Sequence, residues 1–304
     1  MNVLVLGHRG LIGSSIFQKL LSNGYNVFAV TDIHSFDDSF DFYQTTRSRF
    51  IDLLSSVQLV IYAISDFTPA TCPDISTMLY KKRTASFSIF LSVIRDLNIK
   101  LYYCSSGGAI YGSLEKSDNF NEENIPEPVS NYGKLKYHYE KLIIDYLSYK
   151  KNNYCIFRIS NLFSYLQFYN INQGIIGVFA RKIINNEDVV IFSNGETVRD
   201  YISLNDATFL MTKIIESDGS GIFNISSCIG LKTIVIFNFL CKELNKSEYS
   251  RVSIKDDCYN SPNKVLLSNN KIFSFLKITN FFSEEYLFNQ IREELKNMMN
   301  ERRP

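Results

Sequence analysis

Tyr132 and Lys136 are the two residues whose types and spacing could do acid–base chemistry, since they stand four apart in the segment Tyr-Gly-Lys-Leu-Lys. In a helix that spacing places both side chains on one face. A free tyrosine has a pKa of about 10, and a nearby cation favours the phenolate. Such a pair can pass a proton to or from a hydroxyl oxygen while a nicotinamide takes or gives a hydride. The spacing also arises by chance in a chain with 19 tyrosines, so the surrounding motifs decide its meaning.

A glycine-rich turn near the start of the chain could hold a pyrophosphate. Glycine permits a tight turn and a close backbone approach, and the helix that follows supplies N–H groups and a partial positive charge. The spacing, G-x-x-G-x-x-G, departs from the commoner G-x-G-x-x-G fingerprint, and three glycines can also form a plain turn. Its position after a first strand favours dinucleotide binding by Gly7, His8, Arg9, Gly10, Leu11, Ile12 and Gly13.

The end of the second strand bears on the choice between NAD(H) and NADP(H). An acidic residue there binds the ribose 2′-hydroxyl, whereas basic groups accommodate a 2′-phosphate. Asp32 favours NAD if it ends the strand. Thr31, together with Arg9 in the glycine turn, favours NADP if the strand is one residue shorter. Both alternatives stay open.

A second turn of small residues runs from Ser105 to Gly112 and follows an apolar segment directly. Open α/β sheets bind their ligands beyond the carboxyl ends of the strands. A small hydroxyl group at such a point can hold the reacting oxygen of a substrate. A plain turn would not explain why this segment falls between the glycine turn and Tyr132.

The elements that must position these groups alternate along the first half of the chain. Strands that alternate with helices imply right-handed βαβ units and a parallel sheet. Nearly continuous apolar strands fit a sheet that is covered on both faces. The predicted fold class is therefore α/β, a Rossmann-type doubly wound parallel sheet. The predicted strands are 3–6, 25–30, 59–63, 100–104 and 155–159, and the predicted helices are 12–22, 47–56, 78–97 and 131–149.

Beyond about residue 161 the pattern becomes irregular, with short strands, loops and a final amphipathic helix over 283–300. Ser283 is a candidate N-cap, and the acidic residues that follow it stand where negative charge is favourable. We expect an NAD(P)-binding domain over 1–160 and a smaller α/β lobe over 161–304, with some chain crossing back to the sheet.

Composition excludes several classes of protein. The net charge of +1 gives no basic surface for nucleic acid and no polybasic patch for a membrane. No apolar run is long enough to span a bilayer, and the first residues have the pattern of a strand, not of a signal peptide. Six scattered cysteines and three separated histidines predict no metal site and fit a reducing, cytoplasmic setting.

Together these motifs resemble the extended short-chain dehydrogenase/reductase family of nucleotide-sugar epimerases, dehydratases and 4-keto reductases. The resemblance covers nearly the whole chain. It rests on the glycine turn, the turn over 105–112, and the helix segment 130–136 with Glu140 beyond it. It also rests on 158–161, which resembles an R-x-x-N motif, and on 198–202, which reads V-R-D-Y-I.

The resemblance implies a role for each matching residue. Tyr132 would be the acid/base, and Lys136 would bind the nicotinamide ribose and tune Tyr132. Asn161 and Arg199 would meet the diphosphate of the substrate, where a guanidinium offers paired donors. The residues that would complete the cofactor site and the nucleotide-sugar pocket are Ala63 for the cofactor, and Gly107, Gln173, Gly174 and Phe192 for the substrate.

The chain departs from the family pattern at several places. Many relatives carry a hydroxyl residue four positions before the tyrosine of the Y-G pair, where this chain has Gly107. Ser106 is the nearest substitute, and we expect it to take that catalytic role. The usual asparagine of the preceding helix is replaced near Arg83, and the segment from Asp257 to Pro262 lacks an arginine shortly before it.

Two reactions share this machinery. One is reduction of a 4-keto-6-deoxyhexose, carried for example on dTDP, in surface-polysaccharide biosynthesis such as that of O-antigen. The alternative is 4-epimerisation of a UDP-hexose, of the UDP-galactose or UDP-N-acetylgalactosamine type, with tightly bound NAD. The glycine turn and Thr31 resemble those of NADPH-using reductases, whereas Gln173-Gly174 and 198–202 resemble those of the epimerases. We lead with the reductase.

A third interpretation is an inactive dinucleotide-binding regulator, against which the presence of both Tyr132 and Lys136 argues. By the resemblance, the partners are a dTDP- or UDP-linked sugar and a second copy of the chain. The homodimer would form through the helices 78–97 and 131–149. No nucleic acid and no membrane are expected as partners.

Overall fold

The computed structural model describes residues 1–29, 45–65, 77–112, 119–149, 153–169, 174–256 and 262–301. Three predicted site residues, Thr31, Asp32 and Gln173, lie outside these ranges, as does the segment 257–261.

The first half of the chain alternates strands and helices, as its apolar pattern predicts. The elements are β1 (Asn2–Leu6), α1 (Leu11–Ser22), β2 (Asn26–Ala29), α2 (Thr45–Ser55), β3 (Leu59–Tyr62), α3 (Thr77–Asp96), β4 (Lys100–Ser106), α4 (Gly107–Ile110), α5 (Asn131–Leu147) and β5 (Tyr154–Ile159).

The second half begins with a short strand and then contains more helix than its sequence pattern indicated. The elements are β6 (Asn161–Phe163), α6 (Ile175–Ile184), β7 (Val189–Phe192), β8 (Val198–Ser203), α7 (Leu204–Glu216), β9 (Gly221–Ile225), β10 (Gly230–Lys232), α8 (Thr233–Glu243), β11 (Val252–Lys255), β12 (Lys264–Val265), α9 (Asn270–Leu276) and α10 (Glu284–Glu301). A 3-10 turn over Tyr165–Phe168 follows β6.

Six of these strands form one parallel sheet in the order β2-β1-β3-β4-β5-β9. The strand order reverses between β1 and β3, which in open α/β sheets is where ligands bind beyond the strand ends. The predicted α/β, doubly wound architecture is confirmed. The carboxyl ends of β1, β3, β4 and β5 therefore meet at the edge where the glycine turn and the 105–112 turn begin.

The central sheet is buried on both faces, which explains its nearly continuous apolar strands. In β1, Val3 and Val5 face a core shared with α1, α7 and α9. Leu4 and Leu6 face the opposite core, which is shared with α2, α3 and α5. Because side chains alternate between the faces of a strand, each strand needs apolar residues at every position to cover both cores.

The chain after residue 160 builds a second, smaller sheet around β8, which pairs with β6, β10 and β12. A third core lies beneath it and receives one face of α10 through Leu287, Ile291 and Leu295. The predicted N-cap of this last helix is confirmed, because the Tyr286 N–H donates to the Ser283 hydroxyl at 3.1 Å. By its position in the chain, β9 falls within the range predicted for the second lobe, 161–304, yet it pairs with β5 in the central sheet.

None of the described helices is both long enough and apolar enough to cross a bilayer. Among the residues that the structure describes, no group of three or more His, Cys, Asp or Glu side chains is arranged to hold a metal ion.

Candidate active site

The glycine turn packs tightly between β1 and α1. Gly7 has a φ of +88°, and a Cβ there would lie 2.7 Å from the Ala63 carbonyl carbon at the end of β3. A Cβ on Gly13 would overlap the Gly7 carbonyl oxygen. Gly10 is the N-cap of α1 and supplies no side-chain cap, so the first N–H groups of the helix stay available to a ligand.

The helix α5 places Tyr132 and Lys136 beside the end of β4. Its N-cap is Ser130, whose hydroxyl accepts from the Gly133 N–H at 3.1 Å. Gly133 permits close packing, since a Cβ there would overlap the Ala109 carbonyl oxygen of α4. The helix therefore starts directly against the turn that follows β4.

Lys136 is buried, with 7% of its surface exposed. Its Nζ donates to the Cys104 carbonyl oxygen at 3.2 Å. The same atom lies 5.9 Å from the ring centre of Tyr132 and 5.2 Å from that of Tyr103. The ammonium group of Lys136 therefore lies beside the Tyr132 ring.

One cavity of about 540 Å³ collects nine of the sixteen predicted site residues that the structure describes, and its volume is within the usual range of ligand pockets. It begins at the N-terminus of α1 and extends to the second sheet. Nine predicted residues line it, namely Gly10, Leu11, Ile12, Ala63, Ser106, Tyr132, Asn161, Gly174 and Arg199. Eleven other residues line it that were not predicted as site residues, among them Gln167, Thr197, Tyr201 and Thr233.

Gly107 is buried and does not appear in the wall of this cavity. A Cβ at this position would lie 2.5 Å from Cδ1 of Leu267 and 3.0 Å from the Arg158 carbonyl oxygen. Leu267 is fully buried in a small core with Tyr111 and Phe120. The space that a side chain at 107 would need is therefore already occupied.

The two serines before Gly107 both line the cavity but differ in their hydrogen bonds. The Ser105 hydroxyl donates to Oε1 of Glu140 at 2.5 Å. The Ser106 hydroxyl makes no hydrogen bond to any described residue, so its proton remains available to a ligand. Ser106 thus has the chemistry expected of a substitute for a hydroxyl at 107.

Asn161 and Arg199 face the cavity from the second sheet. The Asn161 side-chain amide donates to the Asp200 carbonyl oxygen at 2.9 Å. One guanidinium nitrogen of Arg199 donates to the Val198 carbonyl oxygen at 2.9 Å. Both side chains are only partly buried, so they can meet an anionic group from the cavity.

Asp200 anchors the loops behind Arg199. Its buried carboxylate accepts backbone N–H bonds from Ser227, Cys228 and Leu267 at 3.1–3.2 Å. Burial raises the pKa of Asp200 to about 7, although these donors oppose the shift. The arginine of the V-R-D-Y-I segment lines the pocket, and its aspartate holds the surrounding chain.

Gly174 lines the cavity, whereas seven of the predicted residues that the structure describes do not, namely Gly7, His8, Arg9, Gly13, Gly107, Lys136 and Phe192. Gly174, with a φ of +82°, lies against Gln167, because a Cβ there would be 2.5 Å from the Gln167 Cδ atom. Phe192 ends β7 with 42% of its surface exposed and is absent from the lining. His8 packs near Phe17 at a ring distance of 6.1 Å, and Arg9 is exposed.

The residues present fit a bound dinucleotide. The close-packed glycines and the uncapped N-terminus of α1 form a cradle that suits a pyrophosphate. The cavity continues from this cradle past Ala63 to Tyr132, so the nicotinamide end of a bound dinucleotide would lie beside the tyrosine–lysine pair.

Comparisons with known proteins agree with this geometry. A putative UDP-glucose 4-epimerase of Methanocaldococcus jannaschii is 29% identical over 222 residues, covering 67% of this chain and 70% of that protein. A dTDP-4-dehydro-6-deoxyglucose reductase of Escherichia coli is 23% identical over 285 residues, covering 87% and 88%. The solved UDP-glucose 4-epimerase of Thermotoga maritima has a TM-score of 0.80 at 23% identity and covers 99% of both chains.

The model of the NAD dependent epimerase/dehydratase family matches residues 3–226, which include the glycine turn, Tyr132, Lys136, Asn161 and Arg199. The match extends over more than half of the chain, and the chain therefore belongs to the NAD-dependent epimerase/dehydratase family, within the extended short-chain dehydrogenases/reductases.

Proposed function

We propose that this NAD(P)-dependent protein reduces the C4 ketone of a nucleotide-linked 4-keto-6-deoxyhexose, with dTDP as the first nucleotide to test, in surface-polysaccharide biosynthesis. The observation that carries the proposal is the single cavity on which the N-terminus of α1, Tyr132, Asn161 and Arg199 converge. The N-terminus of α1 can bind an anionic group at one end of the cavity, and Asn161 and Arg199 can bind one at the other end. Tyr132, the proton donor, lies between them. That arrangement suits two phosphate-bearing ligands whose reacting ends meet at Tyr132.

The wall of the cavity also suits the proposed sugar. Leu162, Ile175 and Ile176 contribute apolar side chains to its substrate side. A 6-deoxy sugar carries a methyl group where other hexoses carry a hydroxymethyl group, and burying a methyl group against such side chains is favourable. The reductase of Escherichia coli reported above acts on a sugar of this type by its name.

The reaction divides among the residues as follows. When bound, the nicotinamide supplies the hydride that reaches C4 of the sugar. The Tyr132 hydroxyl donates its proton to the C4 oxygen, and the Ser106 hydroxyl donates a hydrogen bond to the same oxygen. Lys136 would hold the ribose hydroxyls of the cofactor, and its ammonium group lies beside the ring of Tyr132. Arg199 and Asn161 hold the diphosphate of the sugar nucleotide.

The test is to mix the protein with dTDP- and UDP-linked 4-keto-6-deoxyhexoses and with NADPH or NADH. We expect loss of the absorbance of the reduced nicotinamide in step with the formation of a 4-hydroxyl sugar. A comparison of the two cofactors also tests the open choice between NAD(H) and NADP(H). No loss of absorbance with any of these substrates contradicts the proposal.

The second candidate is a UDP-hexose 4-epimerase, favoured by the relative from Methanocaldococcus jannaschii, which has the highest identity of the three proteins compared. In that reaction the Tyr132 phenolate would remove the proton of the 4-hydroxyl while C4 would give its hydride to the bound NAD⁺. After the ketone turns over in the site, the hydride would return to its other face and Tyr132 would return the proton to the oxygen. Conversion of UDP-galactose or UDP-N-acetylgalactosamine without added cofactor, and with NAD co-purifying at about one equivalent, supports this alternative. Mass spectrometry of the denatured protein measures that content.

A further inference from the structure

Glu140 is a fully buried carboxylate that the reaction described above does not use. It lies on α5, four residues after Lys136 and eight after Tyr132, so the three side chains share one side of the helix. Arg158 of β5 donates to Oε2 of Glu140 through Nε at 3.1 Å and through Nη2 at 2.8 Å. The side chains of this pair are 3% and 0% exposed, so each charge depends on the other for compensation.

The second oxygen of Glu140, Oε1, accepts a short hydrogen bond from the Ser105 hydroxyl and a longer one, at 3.4 Å, from Nε of Arg158. The distance of 2.5 Å from the Ser105 Oγ to Oε1 is at the short end of the range for a hydroxyl that donates to a carboxylate. A carboxylate can only accept hydrogen bonds, so the one proton of the serine hydroxyl must point to Glu140. The lone pairs of Ser105 are therefore all that this hydroxyl can offer to another group.

The surrounding contacts hold this arrangement in place. The Nη1 atom of Arg158 donates to the Tyr111 hydroxyl at 2.8 Å. That hydroxyl donates in turn to Oδ1 of Asn224 at 2.9 Å. Because every member of the chain is buried, a reversal at Ser105 would leave a buried donor or acceptor unpaired, which is costly.

We propose that Ser105 is an acceptor group in the cavity, which binds an N–H or O–H donor of a ligand, and that Glu140 is a positioning residue that sets this polarity. Ser105 lines the same cavity as Tyr132. Two ligands carry the required donor, namely the nicotinamide through its carboxamide N–H and the sugar through a hydroxyl. The sugar source rests on the proposed function, whereas the nicotinamide source rests on the family alone.

The first experiment measures direct binding, so it does not depend on turnover. Ser105→Ala and Ser105→Cys are titrated by calorimetry with NAD⁺, NADPH, dTDP-glucose and UDP-glucose, and Ser55→Ala on the exposed face of α2 is the matched control. Loss of one neutral hydrogen bond should weaken binding by about 3- to 10-fold in Ser105→Ala. The cysteine variant keeps a side chain of similar size, so it separates the lost acceptor from a change in packing.

The pattern of losses identifies the source of the donor. Weaker binding of NAD⁺, with no change for the analogue in which an acetyl group replaces the carboxamide, assigns the contact to the nicotinamide. Weaker binding of a sugar nucleotide alone assigns it to the sugar. Unchanged binding of all four ligands to a folded Ser105→Ala protein overturns the proposal, whether or not the reductase activity is found.

The role of Glu140 has its own variant. In Glu140→Gln combined with Arg158→Met, the amide can donate to Ser105 and no buried guanidinium is left without a counter-charge. The Ser105 hydroxyl would then donate into the cavity, so the affected ligand should bind about as weakly as it does to Ser105→Ala. Binding equal to that of the wild-type protein, with an unchanged circular dichroism spectrum, overturns the positioning role of Glu140.

Discussion

Gly107 offers the sharpest test of how the site is built. The family resemblance leads one to expect a hydroxyl residue at this place, so Gly107→Ser is the obvious way to restore the family pattern. The structure opposes it, because the new Cβ would lie 2.5 Å from Cδ1 of Leu267 and 3.0 Å from the Arg158 carbonyl oxygen. We expect the variant to lose stability without gaining activity.

The size of the loss follows from the packing. Leu267 is 0% exposed and lies among Ile110, Tyr111 and Phe120, so its methyl group has no open space to enter. Insertion of atoms into a packed core costs about 1–3 kcal/mol, and we expect the free energy of unfolding of Gly107→Ser to fall by that amount. Leu267→Ala alone should cost about 2–5 kcal/mol, as other buried leucines do.

A double-mutant cycle measured by urea unfolding decides the matter. In the double variant, Gly107→Ser with Leu267→Ala, the shorter side chain at 267 makes room for the serine. Its free energy of unfolding should therefore exceed, by about 1 kcal/mol or more, the value that the sum of the two single losses predicts. Gly108→Ser is the matched control, since a Cβ there meets the Asn161 side chain at 3.3 Å and nothing closer. Strict additivity, or a Gly107→Ser variant as stable as the wild-type protein, refutes the reasoning.

Three other changes probe the proton donor, the cradle and a buried carboxyl. Tyr132→Phe should lower kcat at least about 10²-fold and leave the Kd of the cofactor unchanged in calorimetry; a smaller loss would assign the proton to another group. Gly13→Ala should abolish measurable cofactor binding in the same assay, because its Cβ would overlap the Gly7 carbonyl oxygen; binding at the wild-type Kd would contradict the cradle. Burial raises the pKa of Asp200 to about 7, above an unfolded value of about 3.9, so the folded protein holds this proton more tightly. The free energy of unfolding should therefore fall as the pH rises between these values, and urea unfolding over that range should show a flatter slope for Asp200→Asn; equal slopes would exclude Asp200 as the cause.

The fold of the first half could be predicted because its signals are local. Each strand of the central sheet is apolar at successive positions, as in β1 from Val3 to Leu6, and each is followed by a helical pattern. The second half was harder. The helix α8 reads Thr-Ile-Val-Ile-Phe-Asn-Phe-Leu from residue 233, and β-branched and aromatic residues favour strands when judged locally. It is a helix because Ile236, Phe237 and Leu240 pack together into the third core, and this tertiary packing outweighs the local preference.

The site was predictable where a motif carries the function in one short segment. Tyr132, Asn161 and Arg199 come from three such segments, and the structure brings them to one cavity. Gln167, Thr197 and Thr233 were missed because each lies outside those motifs. A hydrogen bond of 2.9 Å joins the hydroxyls of the two threonines at the cavity wall, and nothing in the spacing of 197 and 233 indicates that they meet.

The occupied space at Gly107 also determines what its neighbours must do. A side chain that begins 160 positions away in sequence, that of Leu267, fills the place where a hydroxyl would stand. The proton of Ser105 is already given to Glu140, so this serine cannot act as the missing donor. Ser106 has no such partner among the described residues and lines the cavity with Tyr132. The two adjacent serines therefore differ in what they can offer a ligand. The contact with Glu140 leaves Ser105 only as an acceptor, whereas Ser106 keeps its proton for the role that the proposed function gives it.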